Sequence, residues 1–166
     1  MAIHALARYT NVRARIGVWA DTLTITGTPQ LVHDGAPRSR TDKATGWTRL
    51  TIEPLPETGG WTGPSALYSR GQVLVIFDVF WPDGSEGRSG YNAHDIDQAA
   101  DDYADVLRNL SLSFLDYSSD PSSPSTVTGF RLRNIGSVTP QRVPTSNNYA
   151  QRRVSATLTW WVRDDA

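Results

Sequence analysis

Residues 72–81 read QVLVIFDVFW, and the reading of this run decides the fold. In an extended chain Val73, Val75, Phe77, Val79 and Trp81 fall on one side, and Leu74, Ile76 and Phe80 on the other. Apolar residues on both sides predict a central strand covered on both faces.

Working outward, Asp83, Gly84, Ser85, Glu86 and Gly87 supply turn chemistry after this strand. Residues 92–112 then place Ile96, Ala100, Tyr103, Leu107 and Leu110 along one helical stripe, with Asn92 or Asp95 as a first-turn cap. On the other side, residues 47–53 alternate: Trp47, Arg49, Thr51 and Glu53 against Thr48, Leu50 and Ile52, a strand with one half-exposed face. Pro54 and Pro56 limit its extension.

Further out, Ile3, Leu6, Tyr9, Val12, Ile16 and Trp19 recur every three or four positions, which predicts a first helix over residues 2–19. Residues 21–46 read mostly as loop with room for a short strand, and residues 118–128 and 140–148 as proline-bearing loops. Residues 128–138 predict another strand. Residues 151–163 predict a closing strand with Val154, Ala156, Leu158, Trp160 and Val162 turned inward. The expected fold is therefore α+β: one domain over residues 1–166, a mainly antiparallel sheet packed against two helices, with long loops.

Composition narrows the function. The chain of 166 residues has no cysteine, which excludes disulfides, thiolate metal sites and a cysteine nucleophile. Sixteen Lys and Arg against 17 Asp and Glu leave a net charge of -1, so no global field draws the chain to DNA or an anionic membrane. The first ten residues lack a long apolar segment, and no stretch has the length of a membrane span, so neither a secretory signal nor a membrane association is expected.

Catalytic signatures are weak. His4, His33 and His94 are far apart in sequence and lack metal-ligand spacing. No phosphate-binding glycine loop, dinucleotide fingerprint or Gly-x-Ser-x-Gly occurs, and residues 83–86 lack the ordered ligands of a calcium loop. The chain reads as a non-enzyme without cofactor or metal. What stands out is six tryptophans, a residue type suited to protein interfaces. Trp160 is as much a core candidate as an interface one, whereas Trp161, its outward neighbour, is the better interface candidate, flanked by Arg152, Arg153 and Arg163. Asp97, Asp101 and Asp105 lie on one helical line, either a solvated face or an acidic interface or channel face.

The run Arg70, Gly71, Gln72, the strand 73–81, then Pro82 to Gly87 resembles the central strand and turn of siphophage tail terminators of the lambda-like family. In those proteins a basic residue and glycine precede a strand that ends in an aromatic, a proline and a glycine, before the main helix. Residues 92–112 stand where that helix belongs, and residues 151–161 are similar to the closing strand. The stretches 21–46 and 118–128 depart from the family plan.

The resemblance implies a structural virion protein, assembled in the host cytoplasm and located at the tail and neck. It implies a homohexameric ring that caps the tail tube, stops its polymerisation and presents its other face to a head-tail connector or neck protein. Genomic DNA would cross the channel without sequence-specific binding. Candidate subunit or tube contacts are Arg70, Trp81, Asp83, Glu86, Arg153, Trp161 and Arg163, and the candidate acidic lumen or interface face is Asp97, Asp101 and Asp105. Two other readings stand beside it: another neck or tail component, such as a connector, completion or tube protein, and a small cytosolic ligand-binding α+β domain.

Overall fold

A computed structural model describes residues 9–36, 46–55, 68–82, 93–116, 122–123, 125–134, 136–144 and 149–163. Among the described residues two helices, α1 (Tyr9–Asp21) and α2 (Ala93–Arg108), accompany seven strands: β1 (Gln30–His33), β2 (Trp47–Pro54), β3 (Tyr68–Pro82), β4 (Ser111–Asp116), β5 (Ser125–Asn134), β6 (Gln141–Val143) and β7 (Tyr149–Arg163). All seven strands form one sheet of order β1-β2-β3-β7-β5-β4, with β6 also on β7. The expected α+β class holds. The sheet is antiparallel apart from the β1–β2 pair, where residues 34–46 provide the long connection that parallel pairing needs.

The deciding run is the middle of the sheet. β3 pairs with β7 along its whole length, Tyr68↔Arg163 to Pro82↔Tyr149, and with β2 from Trp47↔Phe80 to Pro54↔Val73. Val73, Val75, Phe77 and Val79 are fully buried beneath the helices, joined by Val154, Ala156 and Leu158 of β7 and Leu50 of β2. From α2, Ile96, Ala100, Tyr103 and Leu107 fill this face as their periodicity predicts, and Tyr103 stacks on Phe77 at 4.3 Å. Trp19 of α1 meets the same Phe77 ring edge-on at 6.3 Å, so both helices lie on one side of the sheet.

That side is concave. The Tyr9 hydroxyl donates to the Ile52 carbonyl of β2, while Asn11 and Arg15 donate to the Leu115 and Ser113 carbonyls of β4. In a flat sheet β2 and β4 would stand about 19 Å apart, four strand spacings of ~4.8 Å. One helix about 10–12 Å wide reaches both only because the sheet curls around it. The same two side chains from α1 thereby engage carbonyls of edge strand β4.

The second face of β3 corrects the expectation of cover on both sides. Leu74, Ile76 and Phe80 are half-buried there, and between Ile76 and Phe80 stands Asp78, which is 1% exposed. The described helices pack only one face of the sheet.

Other boundaries also move. The main helix ends at Arg108 rather than at residue 112, because the last turn tightens through Leu110 N to Leu107 O and the chain enters β4. β4 and β6 were both unforeseen. β5 and β6 lie in line along β7, Asn134 opposite Leu158 and Gln141 opposite Arg153, and residues 136–140 leave the ladder between them as a bulge. Arg108 holds that bulge, its Nε and Nη2 donating to the Val138 carbonyl at 3.1 and 2.9 Å. Of the first predicted helix, residues 2–8 lie outside the described residues.

Candidate functional site

The period of two along each strand assigns the residues of the helix-free face. Across β2, β3 and β7 the rows read Trp47–Phe80–Gln151, Arg49–Asp78–Arg153, Thr51–Ile76–Ser155 and Glu53–Leu74–Thr157. Arg131 and Arg133 of β5 continue the face beyond β7, since Leu132 between them is fully buried on the helix side.

Asp78 is the centre of this surface. Arg153 donates from Nε to Oδ1 at 2.8 Å and from Nη2 to Oδ2 at 3.0 Å, a two-pronged pair. Gln151 Nε2 adds a third bond to Oδ1 at 2.9 Å, and Arg49 Nη2 lies 3.4 Å from Oδ2. Burial alone pushes the Asp78 carboxyl up, but the hydrogen bonds from Arg153, Gln151 and Arg49 and the Arg153 charge outweigh it, and the group is held below its ordinary value. The bond to Asp78 in turn raises the Arg153 guanidinium above its ordinary value.

A buried carboxylate with two arginines that keep 41% and 44% of their side-chain surface is a fastened, outward-facing basic centre. Beside it Trp47 stacks on Phe80 at 4.1 Å, and the Arg49 guanidinium carbon lies 5.8 Å from the Phe80 ring centre. The arrangement joins flat aromatic area to guanidinium donors, side-chain types that recur at protein–protein contacts. Among the described residues no group of three or more His, Asp or Glu is placed to hold a metal. No described helix is long and apolar enough to cross a membrane.

The structure divides the candidate residues taken from the sequence. Arg153 belongs to the centre just described, held by its own chain's Asp78. Trp81 is 7% exposed and sits on the helix side, its ring pressed over Gly27 and Gly46, so it packs the monomer's core. Trp160 is likewise in the core, 7% exposed. Arg70 and Trp161 are register partners, and Arg163 is opposite Tyr68; for these three the backbone position alone is described. They lie at the other end of the β3–β7 ladder, Arg70 being about 27 Å along the strand from Asp78 at ~3.4 Å per residue. Asp83 and Glu86 lie outside the described residues.

The acidic line on α2 is exposed, as a solvated or contacting face requires. Two of its members are engaged within the chain: Asp97 by Arg152 of β7, and Asp105 by Arg108 one turn on. Asp101, between them, has no hydrogen-bond or ion-pair partner among the described residues.

Sequence reasoning missed Asp78, Arg49 and Gln151. The available signal was the one carboxylate inside QVLVIFDVFW: a charge in the middle of a central strand demands partners on the flanking strands.

No family model matches the chain, and no curated protein matches it. One solved structure, which carries no functional name, aligns over 93% of this chain and 92% of its own, at 15% identity and a TM-score of 0.45.

Proposed function

We propose that this chain is a non-enzymatic, ring-forming structural protein of a tailed phage, a tail terminator that caps the tail tube and receives the neck. The observation that carries the reading is the two-sided build of the sheet. One face is filled by both helices, and the other is left helix-free with a fastened arginine centre, a Trp47–Phe80 stack and half-buried Leu74 and Ile76. A surface of this composition suits contact with another protein. The sequence resemblance supports the same reading, because its strand, main helix and closing strand correspond to β3, α2 and β7, the elements that build the core.

The test is negative-stain electron microscopy of the purified protein mixed with the tail-tube protein of its phage. The expected result is tubes whose growth stops and which bear a ring at one end. Tubes that grow unchecked and uncapped would overturn the proposal.

A further inference from the structure

The helix-free sheet face and the outer face of α2 carry opposite charge. On the helix-free sheet face the described side chains include Arg49, Arg131, Arg133 and Arg153 against Asp78 and Glu53, an excess of cations. On the opposite side of the sheet, α2 carries Asp95, Asp97, Asp101, Asp102 and Asp105 against Arg108 alone. Asp97, Asp101 and Asp105 form its exposed outer line.

We infer that the occupant of the helix-free sheet face is the α2 acidic face of a second copy of this chain. The inference deepens the ring-forming reading and rests on it for the closure of the ring. Two features argue for it. The Asp78 carboxylate is taken up by Arg153, which engages both of its oxygens, whereas Arg49 meets it through one nitrogen at 3.4 Å and keeps 44% of its side-chain surface. Arg49 is thus held in place by Asp78 and Phe80 with its charge still turned outward. On α2, Asp101 is exposed and has no partner among the described residues, between two aspartates that are fixed by their own arginines. A cation already held in place loses little freedom on meeting an exposed aspartate.

The topology then dictates the kind of assembly. The two patches are on opposite sides of the same sheet and are different surfaces, so the contact is head-to-tail and not a two-fold face-to-face pair. Such a contact propagates from copy to copy and yields a ring when its rotation closes. The half-buried Leu74, Ile76 and Phe80 give the patch apolar area beneath the charges.

The experiment is sedimentation velocity of the full chain at low and high salt, with Arg49→Glu, Arg131→Glu and Asp101→Arg, each first shown by thermal melting to be folded. Wild type is expected to associate at low salt and to weaken as salt rises. Each single swap places like charges together and is expected to weaken association at least about ten-fold. Mixing Arg49→Glu with Asp101→Arg creates only attractive junctions in an alternating assembly, so the mixture is expected to recover association that neither variant shows alone.

Wild-type association that ignores all three swaps would overturn the inference, as would a wild type that stays monomeric at low salt. So would swaps that abolish binding to duplex DNA and leave self-association intact. The tube-capping assay separates the two proposals: capping that survives every swap leaves the terminator reading standing without this interface. Charge-dependent rings that fail to cap leave the interface standing without the terminator.

Discussion

Phe77 and Asp78 are neighbours on β3, 0% and 1% exposed, and they are buried by opposite means. Phe77 points to the concave side, where Trp19 and Tyr103 cover it from two helices. Asp78 points to the helix-free side, where the guanidinium and amide groups of Arg153, Gln151 and Arg49 close over it. The first face is stabilised by removing apolar area from water, the second by meeting every demand of one buried charge. Burial therefore has a different meaning on the two faces: on the first it marks the core, on the second a built polar centre on a surface that is otherwise half open.

The comparison is broken most directly at Phe77. Phe77→Ala removes the ring on which both helices converge, and chemical denaturation is expected to show a loss of about 3–5 kcal/mol. Asp78→Ala is expected to cost less, about 1–3 kcal/mol, because the arginines it leaves behind are partly exposed and can be hydrated.

The same pair differs in its pH dependence. The folded-state value of Asp78 is lowered, so its contribution is fully present above the unfolded value of 3.8 and is lost as pH falls through the folded value. Urea midpoints measured from pH 6 to pH 2 should therefore converge for wild type and Asp78→Asn at the acid end. A constant gap between the two curves would show that the charge of Asp78 is not what matters.

Gly46→Ala sharpens the account of Trp81. A β-carbon at this position would clash with the Trp81 ring, and displacing the ring is expected to cost about 1–3 kcal/mol, read as a lowered melting temperature. Arg108→Ala tests the clamp on the bulge between β5 and β6 and should cost about 1 kcal/mol, with faster amide exchange in residues 136–139 as its local readout.

The smallest effect is at Tyr103. Burial pushes its phenol up to about 12, with the nearby Thr48 hydroxyl opposing the rise. Stability from this group is full below the ordinary value of 10.0 and is lost as pH rises toward 12, so Tyr103→Phe should flatten the alkaline limb of the stability curve. Ultraviolet titration should show one tyrosine fewer ionising late.

Much of the concave face was legible in the sequence. The stripe of α2, the alternate residues of β3 and the inward set Val154, Ala156, Leu158 and Trp160 all pack where their periodicity places them. For Val162, the last of that set, the side chain is outside the description. Periodicity works here because a single rule, apolar toward the helices, governs every position. It failed at β4 and β6, which are short and take their pairing from β5 and β7 rather than from an apolar alternation of their own. Periodicity places Trp81 beside Val79 on the buried side, and the expectation of a contact residue there gave way because Gly27 and Gly46, distant in sequence, leave the space its ring fills.

The sequence by itself determined the α+β class, the central strand, the main helix and the closing strand, because these depend on patterns within one segment. It also determined that the chain lacks thiol chemistry and carries almost no net charge. Only the tertiary structure decided that both helices share one side, that the sheet curls around α1, and that Arg49, Asp78, Gln151 and Arg153 meet. That meeting depends on the register of β3 with β2 and β7, residues 29 and 75 positions apart along the chain, and no local pattern encodes a register.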